Sequence, residues 1–293
     1  MAYQDVVYIK ELIKMKAIGY IMMSIILLTS CKEKTPKKWV LSKEIKIEGV
    51  NPIGITIQKN KIWLSDGDHN RLVQIDDEGT ILDTINGLER PMHIDATDTQ
   101  LFVPEYGSDF IRIVENNTKS ILQIPDSLDA PAGFSVFRNE KAIADFYNHR
   151  ILFFNGNLWT SFGKEGKNEG DLYYPTDVQI TSDKIWVADA YNNRVQVFDK
   201  KGKFLKAIGE NEKMNAATGI FISESILFVT DFENDRVLIF DLEGNLKQEI
   251  SKNIEKPTDV LLKDEKLYVL NYRKQTVNLY KKGIEEEHEN HHH

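Results

Sequence analysis

The residues best suited to chemistry in this sequence are acidic or amide side chains that recur at one fixed spacing. Each stands 14 residues after a Pro or Ala, and the arrangement occurs six times. We call the earlier residues the anchors: Pro52, Pro91, Pro131, Pro175, Ala217 and Pro257. The later residues are Asp66, Glu105, Asp145, Asp189, Asp231 and Asn271. Because carboxylate and amide oxygens bind hard cations, a ring of them is a candidate metal site.

An Arg five residues after four of these acidic residues favours a structural role instead. The pairs are Asp66 with Arg71, Asp145 with Arg150, Asp189 with Arg194, and Asp231 with Arg236. An Asp at the end of a strand can accept hydrogen bonds from turn N–H groups and pair with a guanidinium. We therefore interpret these pairs as turn structure. The left-handed backbone of such turns is expected at Asn148, Asn192 and Asn234.

A second set of candidates stands two residues after each anchor: Gly54, His93, Gly133, Asp177, Gly219 and Asp259. These positions are expected to begin the strand nearest a central channel. His93 breaks a pattern that is otherwise Gly or Asp, and Glu105 and Tyr106 replace the usual turn in its repeat. His93 is therefore a candidate ligand contact together with these two residues, the alternative being that it only lines the channel. Asp177 and Asp259 are candidates for a metal site, with calcium as the ion.

Aromatic residues gather in the turns that follow the recurring acidic residues. They are Tyr106, Phe146, Tyr147, Tyr191, Phe232 and Tyr272. Flat apolar rings around a polar opening suit a sugar or peptide ligand. The alternative is that the rings cover the packing between repeats. The histidines of the same turns, His69 and His149, are expected to be exposed.

The periodicity within one repeat is that of β-strands. Short alternating runs at 177–181, 184–188, 194–198 and 204–208 predict four strands. Successive anchors are 39 to 44 residues apart. Four antiparallel strands in each of six such repeats predict an all-β fold, a six-bladed β-propeller with four-stranded blades. If the first strand of a blade leaves the face that carries the anchors, the second returns to it, so the anchors and the turns share one face.

The two ends of the repeat region are predicted to meet in one blade. The last repeat has three strands and then only the acidic, His-rich segment 284–293, which we expect to be disordered. The segment 39–52 resembles the fourth-strand segment 245–257 and has no strands before it. We therefore expect the N-terminal strand to complete the sixth blade, which leaves no blade with an open edge.

The repeats resemble NHL repeats. The segment FGKEGKNEGDLYYPTDVQITSDKIWVADAYNNRVQVFDKKGK, residues 162–203, has the Gly-rich lead, the Pro-Thr-Asp-Val start and the Asp-x-x-Asn-x-Arg turn. The repeats at Glu105 and Asn271 match less well, because Phe110 and Thr276 stand in place of the Arg. The resemblance covers residues 39–283 and implies a propeller, in a family that includes scaffolds, receptors and a few enzymes.

Two enzymes of similar fold give expectations that the residues can test. A peptidyl-amidoglycolate lyase has zinc-binding His directly after the anchor Pro in three blades, whereas this chain has Ile53, Met92, Ala132, Thr176, Thr218 and Thr258 there. A three-His zinc site at these positions is thus excluded. Gluconolactonase-like propellers hold calcium from a Glu-Gly-Pro motif, to which EGVNP at 48–52 is only a distant likeness.

The N-terminal segment predicts a lipid anchor. An apolar run from Ala17 to Leu28 is short for a membrane span and suits a signal peptide. Leu-Thr-Ser-Cys at 28–31 resembles the lipobox of bacterial lipoproteins, in which Cys31 would carry the lipid. We expect a signal peptide at 1–31, with Met15 as an alternative start, a tether at 32–38 and the propeller at 39–283. The expected location is the bacterial cell envelope, and Lys32 after the Cys favours the outer membrane.

These observations favour a binding protein over an enzyme. The net charge of −8 argues against nucleic acid as a partner. No nucleophile elbow or phosphate loop is present in the sequence. The sequence therefore predicts a monomeric, lipid-anchored module without a cofactor that binds an envelope protein, peptide or glycan. The alternative is a calcium-dependent hydrolase or lyase with its site at the channel.

Overall fold

The computed structural model describes residues 37–116 and 118–283, and within them the chain forms six four-stranded sheets. Blade 1 contains β2 (Pro52–Gln58), β3 (Lys61–Asp66), β4 (Arg71–Ile75) and β5 (Ile81–Asn86). Blade 2 contains β6 (Asp95–Ala96), β7 (Leu101–Glu105), β8 (Phe110–Glu115) and β9 (Thr118–Ile121). Blade 3 contains β10 (Pro131–Phe137), β11 (Glu140–Asp145), β12 (Arg150–Phe154) and β13 (Trp159–Phe162).

The other three blades follow in chain order. Blade 4 contains β14 (Pro175–Ile180), β15 (Lys184–Asp189), β16 (Arg194–Asp199) and β17 (Phe204–Ile208). Blade 5 contains β18 (Ala217–Ile222), β19 (Ile226–Asp231), β20 (Arg236–Asp241) and β21 (Leu246–Ile250). Blade 6 contains β22 (Pro257–Lys263), β23 (Lys266–Asn271), β24 (Thr276–Gly283) and β1 (Lys38–Lys46). Short 3₁₀ turns lie at Gly67–His69, Ala190–Asn192 and Glu210–Glu212. The predicted all-β six-bladed propeller is confirmed.

The second strand of blade 4 shows why the alternating sequence folds in this way. Successive side chains of a strand point to opposite faces of the sheet. Ile185 and Val187 pack in a core shared with blade 3. Trp186 and Ala188 pack in a core shared with blade 5. Each blade therefore buries both of its faces against neighbours, and this burial holds the ring together.

The N-terminal strand closes the ring as the sequence predicts. β1 pairs antiparallel with β24 from Lys38 opposite Gly283 to Lys46 opposite Thr276. Its register shifts once, between Leu41 and Lys43. The sixth blade consequently has four strands, and β24 is not left as an unpaired edge.

The anchors and the recurring acidic residues lie on one face of the ring, which we call the anchor face. In five blades the anchor is the direct partner of the polar residue that ends the second strand, as in Pro175 opposite Asp189. Pro91 bridges to Glu105 in the same way in blade 2. The turns after these strands therefore surround the same end of the channel.

The four Asp–Arg pairs hold these turns. The Arg Nε donates to the Asp at 2.9 Å in Asp66–Arg71, 2.8 Å in Asp145–Arg150, 3.0 Å in Asp189–Arg194 and 2.7 Å in Asp231–Arg236. The second carboxylate oxygen accepts from a backbone N–H just before the anchor of the same blade, as Tyr173 N–H does for Asp189, and not from the turn that follows. Each Asp therefore links the segment before the first strand of its blade to the start of the third strand.

The Asn residues of the turns do not have the predicted left-handed backbone. The positive φ falls one residue later, at His149, Asn193 and Asp235. Asn148, Asn192 and Asn234 instead donate their side-chain N–H to the recurring Asp at 2.8 to 2.9 Å. The prediction was wrong because each Asn side chain donates to the recurring Asp. The left-handed conformation that reverses the chain is adopted by the residue after the Asn.

In the two divergent repeats, the polar residue that ends the second strand bonds to a different side chain in place of the usual Arg. In blade 2, Arg112 donates to Glu105 at 2.9 and 3.2 Å, and Phe110 occupies the usual Arg position. Arg112 lies two residues farther along the same strand and therefore on the same face as Phe110. In blade 6, Asn271 donates to Thr276 at 3.1 Å, so an amide and a hydroxyl replace the ion pair.

The predicted lipid anchor lies outside the described residues. Residues 1–36, with Cys31, and residues 284–293 are not part of the described structure. None of the helical segments within 37–116 and 118–283 has the length and apolarity that a membrane crossing requires.

Candidate functional site

Glycine alternates with larger polar residues around the channel. Gly54, Gly133 and Gly219 are the third residues of the inner strands of blades 1, 3 and 5. A Cβ added at these positions would lie 2.6 Å from Met92 O, 2.8 Å from Thr176 O and 2.4 Å from Thr258 O, respectively. Only glycine fits where neighbouring blades approach so closely. At the corresponding positions of the other three blades, side chains are present and converge on the axis of the channel.

These side chains are His93, Asp177 and Asp259, from blades 2, 4 and 6, and we call them the channel triad. One possible ligand atom from each residue lies within 4.8 Å of those from the other two. The residues are 4%, 2% and 5% exposed, respectively. His93 Nδ1 lies 3.4 Å from Asp259 Oδ2. This contact is an ion pair but not a hydrogen bond, and His93 Nδ1 has no hydrogen-bond partner within the described part of the chain.

Backbone hydrogen bonds orient the two carboxylates of the triad. Asp177 accepts from its own neighbour Val178 N–H at 2.7 Å and from Ile220 N–H of blade 5 at 2.8 Å. Asp259 accepts from Val260 N–H at 2.8 Å and from Ile55 N–H of blade 1 at 3.0 Å. Each Asp thus connects the inner strands of two blades, and each oxygen keeps a further lone pair for another group.

His93 is held through its main chain. Its N–H donates to Ala132 O at 3.0 Å, and its carbonyl accepts from Phe134 N–H at 3.2 Å, which joins blade 2 to blade 3. The inner strand β6 begins only at Asp95, so His93 lies in an irregular segment before it. This irregular backbone accommodates an imidazole at a position where the other blades have Gly or Asp.

Burial and mutual charge shift the protonation equilibria of the triad. The pKa of Asp177 is raised to about 7, chiefly by burial; the charge of His93 opposes this shift, and that of Asp259 adds to it. Burial lowers the pKa of His93, but the neighbouring Asp259 and then Asp177 outweigh it, so the net pKa is raised above the ordinary value. The triad therefore retains protons near neutral pH, and a bound cation would have to displace them.

A cavity opens above the triad on the anchor face, and we call it the mouth cavity. Its volume is about 340 Å³. His93 is the triad member that lines it. The residues directly after the anchors form much of its wall: Ile53, Met92, Thr176, Thr218 and Thr258. The aromatic residues Phe146, Tyr191, Phe232 and Tyr272 and the charged residues Asp68, Arg90 and Glu233 complete it.

Four of the six predicted aromatic residues lie together on one side of this cavity: Tyr106, Phe146, Tyr147 and Tyr191. The other two, Phe232 and Tyr272, line the cavity from blades 5 and 6. Tyr106 and Tyr147 form a hydroxyl–hydroxyl hydrogen bond of 2.8 Å. Phe146 contacts the rings of both, and also those of Tyr174 and Tyr191. Tyr147 and Tyr191 are 48% and 58% exposed, respectively. The rings thus form a continuous surface from the mouth cavity outward, to which Tyr173 and Tyr174 before the anchor Pro175 also contribute.

Three further candidates from the sequence, Glu105, His149 and His69, do not line the mouth cavity. Glu105 faces Arg112 with a fully buried side chain, so it does not reach the mouth cavity. His149 is 8% exposed, contrary to prediction, because its ring stacks on Tyr173 and its Nδ1 accepts from Tyr174 N–H at 3.1 Å. His69 is half-exposed as predicted, beside Asp66.

Two larger grooves lie on the face of the ring opposite the anchor face. Their volumes are about 590 and 640 Å³. Both include Ser223 and Glu224, in the turn between β18 and β19. Neither contains a predicted site residue, so the mouth cavity remains the place where the candidate residues come together.

Comparison with known proteins supports the repeat type. A family model described as 6-bladed beta-propeller, DUF5128, matches residues 165–290. Protein lin-41 of Caenorhabditis elegans is 46% identical over 46 residues, 15% of this chain and 4% of its own length. Protein brain tumor of Drosophila melanogaster is 31% identical over 85 residues, 27% of this chain and 8% of its own length. The matches thus span less than a tenth of these relatives, and with the fold they identify an NHL-like six-bladed propeller.

Solved structures share the architecture at low sequence identity. Virginiamycin B lyase from Staphylococcus aureus has a TM-score of 0.62 at 14% identity, over 83% of this chain and 99% of that chain. A gluconolactonase from Xanthomonas campestris has a TM-score of 0.65 at 11% identity, with the same two coverages. At such identities the likeness shows the fold alone.

Proposed function

We propose that this propeller is a binding module of the bacterial cell envelope, held by lipid on Cys31, and that its mouth cavity takes a sugar or peptide ligand. The observation that carries the proposal is the mouth cavity of about 340 Å³ on the anchor face, with aromatic walls and a few charged groups. This volume is at the lower end of small-molecule sites, which measure about 300–1,000 Å³. The ligand portion that enters is therefore small.

The lining of the mouth cavity suits a flat polar ligand. Tyr191 and Tyr272 offer ring faces, and such faces stack on sugar rings or peptide groups. Arg90 and Glu233 offer one donor and one acceptor of opposite charge. Thr176 and Thr258 donate their hydroxyls to carbonyls of the next blade at 2.8 and 2.9 Å, which keeps this part of the wall rigid. A preformed wall reduces the entropy lost on binding.

Titration with a panel of oligosaccharides and short peptides tests this proposal. Calorimetry should show saturable binding to one or more of them. The change Tyr191→Ala should weaken that binding by about tenfold, because a stacked aromatic contact contributes about 0.5–1.5 kcal/mol beyond its buried area. The matched control is Leu82→Ala, on an exposed side chain of the outer strand β5, which should leave affinity unchanged. Binding that is equal in all three proteins would contradict the mouth cavity as the site.

A second candidate function is a hydrolase or lyase that uses a channel-centred metal. The observation that favours it is the channel triad, whose His93 also lines the mouth cavity. The two functions differ in what happens to a bound ligand. Incubation with each ligand found by titration, followed by mass spectrometry, separates them: an intact ligand supports the binding module, and a cleaved ligand supports the enzyme.

A further inference from the structure

We propose that the channel triad is a site for one divalent transition-metal ion of the zinc class, bound by His93, Asp177 and Asp259. This inference goes beyond the binding of a sugar or peptide and does not depend on it. It rests on the geometry of the three side chains, on a nitrogen without a hydrogen-bond partner and on two buried carboxylates that have no Arg or Lys partner within 37–116 and 118–283.

The geometry is close to that of a bound ion. Zinc binds nitrogen and oxygen ligands at about 2.0–2.2 Å, so the donor atoms of a tetrahedral site lie about 3.4 Å apart. His93 Nδ1 and Asp259 Oδ2 already lie 3.4 Å apart. One donor atom from each of the three residues can be chosen so that all three lie within 4.8 Å of one another.

The unpartnered nitrogen belongs to His93. Its Nδ1 is fully buried and has no hydrogen-bond partner in the described chain. A buried polar atom without a partner costs about 1–3 kcal/mol, so such atoms are uncommon in folded proteins. A metal ion between Nδ1 and the two carboxylates would give that nitrogen a partner. This observation is independent of the presence of acidic residues.

The triad carboxylates also differ from the buried carboxylates that end the second strands. Each of the latter faces an Arg. Within 37–116 and 118–283, Asp259 has an ion pair only with His93, and Asp177 has none. Two buried carboxylates beside one imidazole carry net negative charge unless the site holds protons, and a divalent cation could take the place of those protons.

The ligand types select the class of ion. Calcium and magnesium prefer all-oxygen sites, whereas imidazole suits zinc, copper, iron and nickel. One nitrogen and two carboxylates therefore favour a transition metal over calcium, the ion of the alternative interpretation of the sequence. Three protein ligands are also the number found in zinc sites with an open position. Because His93 lines the mouth cavity, an ion in the triad would adjoin that cavity.

The test uses the full chain with the tail histidines changed to Ala, since the tail could bind such ions itself. These residues are His288, His291, His292 and His293. The protein is stripped of metal, dialysed against Zn²⁺ and analysed for bound ion. One ion per chain is expected. Co²⁺ as a probe should give visible absorption bands that shift when a nitrogen ligand is removed.

Two changes in this background separate the triad from other sites. His93→Asn should abolish stoichiometric binding of Zn²⁺. His69→Asn is the matched control, because His69 also lies beside an Asp but is half-exposed, and binding should be retained. Circular dichroism establishes that both proteins are folded. If His93→Asn does not fold, His93→Asp provides the second variant, which keeps three donors and should weaken Zn²⁺ and strengthen Ca²⁺ binding.

Two results would overturn the inference. One is less than one tenth of an ion per chain in the tail-substituted protein, and the other is uptake that is unchanged by substitution of His93. Ligand titrations with and without Zn²⁺ keep this outcome distinct from the proposed function. A ligand that binds equally well to metal-free protein would leave the binding module intact whatever the metal result.

Discussion

Gln248 binds both main-chain groups of Trp39. Its side-chain oxygen accepts from Trp39 N–H at 2.8 Å, and its side-chain nitrogen donates to Trp39 O at 2.8 Å. The Trp39 ring also packs edge-on against Phe228, with centroids 5.8 Å apart. A residue of blade 5 thus fastens the strand that closes blade 6.

The change Gln248→Ala should therefore destabilise ring closure. Loss of two hydrogen bonds is expected to lower the free energy of unfolding by about 1–3 kcal/mol. Urea denaturation followed by Trp fluorescence measures this. Gln123→Ala is the control, because Gln123 is exposed and makes one bond, to its near neighbour Ile121, so its effect should stay within about 0.5 kcal/mol. Equal midpoints for the two variants would contradict the role of Gln248.

The change Arg194→Met should have a larger effect. Arg194 has a side-chain exposure of 6% and faces the fully buried Asp189. Removal of one partner of a buried ion pair leaves an uncompensated charge and costs about 3–5 kcal/mol. Lys43→Met removes a pair with the exposed Glu78 and should cost at most about 1 kcal/mol. A chemical-denaturation series on both proteins decides the matter, and similar losses would argue against a structural Asp–Arg turn.

The glycines of the channel should not tolerate alanine. Gly219→Ala would place a methyl group 2.4 Å from Thr258 O, so adjacent blades would have to separate. Overpacking of this kind costs about 1–3 kcal/mol. In the control Gly107→Ala the added methyl group would lie 3.3 Å from Glu89 O, a tight contact that needs a much smaller shift, so its cost should be clearly lower. Thermal unfolding of the two proteins provides the comparison, and a stable Gly219→Ala protein would show that the blades can shift.

Asp241 should contribute a pH-dependent stability at the outer turn of blade 5. A hydrogen bond and ion pair with Lys247, together with the bonds from Asn245, lower the pKa of Asp241 below its ordinary value of 3.8. A carboxyl group with a lowered folded-state pKa binds protons more readily when unfolded. Its contribution is therefore present above about pH 4 and lost as the pH falls.

The difference in stability between the native chain and Asp241→Ala should accordingly be constant above about pH 4 and shrink below it. Urea midpoints measured from pH 6 down to pH 2.5 test this. Glu243→Ala, an exposed residue of the same turn, serves as the control and should show no such trend. A difference that stays constant down to pH 2.5 would rule out the ion pair as its cause.

Lipid attachment is expected to depend on Cys31. Cys31→Ser should abolish incorporation of labelled fatty acid and move the protein from the membrane fraction to the soluble fraction. The change Ser30→Ala keeps the Cys and is the matched control. Membrane retention and labelling of Cys31→Ser equal to those of the native chain would reject the lipid anchor.

The fold could be predicted from sequence because its determinants are local. Alternation such as that of Ile185 to Ala188 fixes which face each side chain takes, and repetition fixes the number of blades. The position of His93, Asp177 and Asp259 beside the channel could also be derived. Their convergence could not, because it depends on how closely neighbouring inner strands approach, as at Gly54 and Met92.

The other differences arise from side-chain reach. The sequence pattern does not identify Arg112 as the partner of Glu105. Arg112 lies seven residues after Glu105, whereas the Arg of the other pairs lies five residues after its Asp. The burial of His149 depends on Tyr173 and Tyr174, which belong to the next repeat along the chain. Periodicity places a residue on a face, but it does not state which neighbour from another blade covers that residue.

The pairing of Lys38 with Gly283 in blade 6 makes the starting point of the chain arbitrary with respect to the ring. The two ends of the propeller are adjacent strand neighbours, and a short linker could join them while a new break is made in an exposed hairpin such as that at Gly244. Circularly permuted chains should therefore reach the same arrangement of blades. The boundary between β1 and β24 is one of several positions in the ring at which the chain could begin and end.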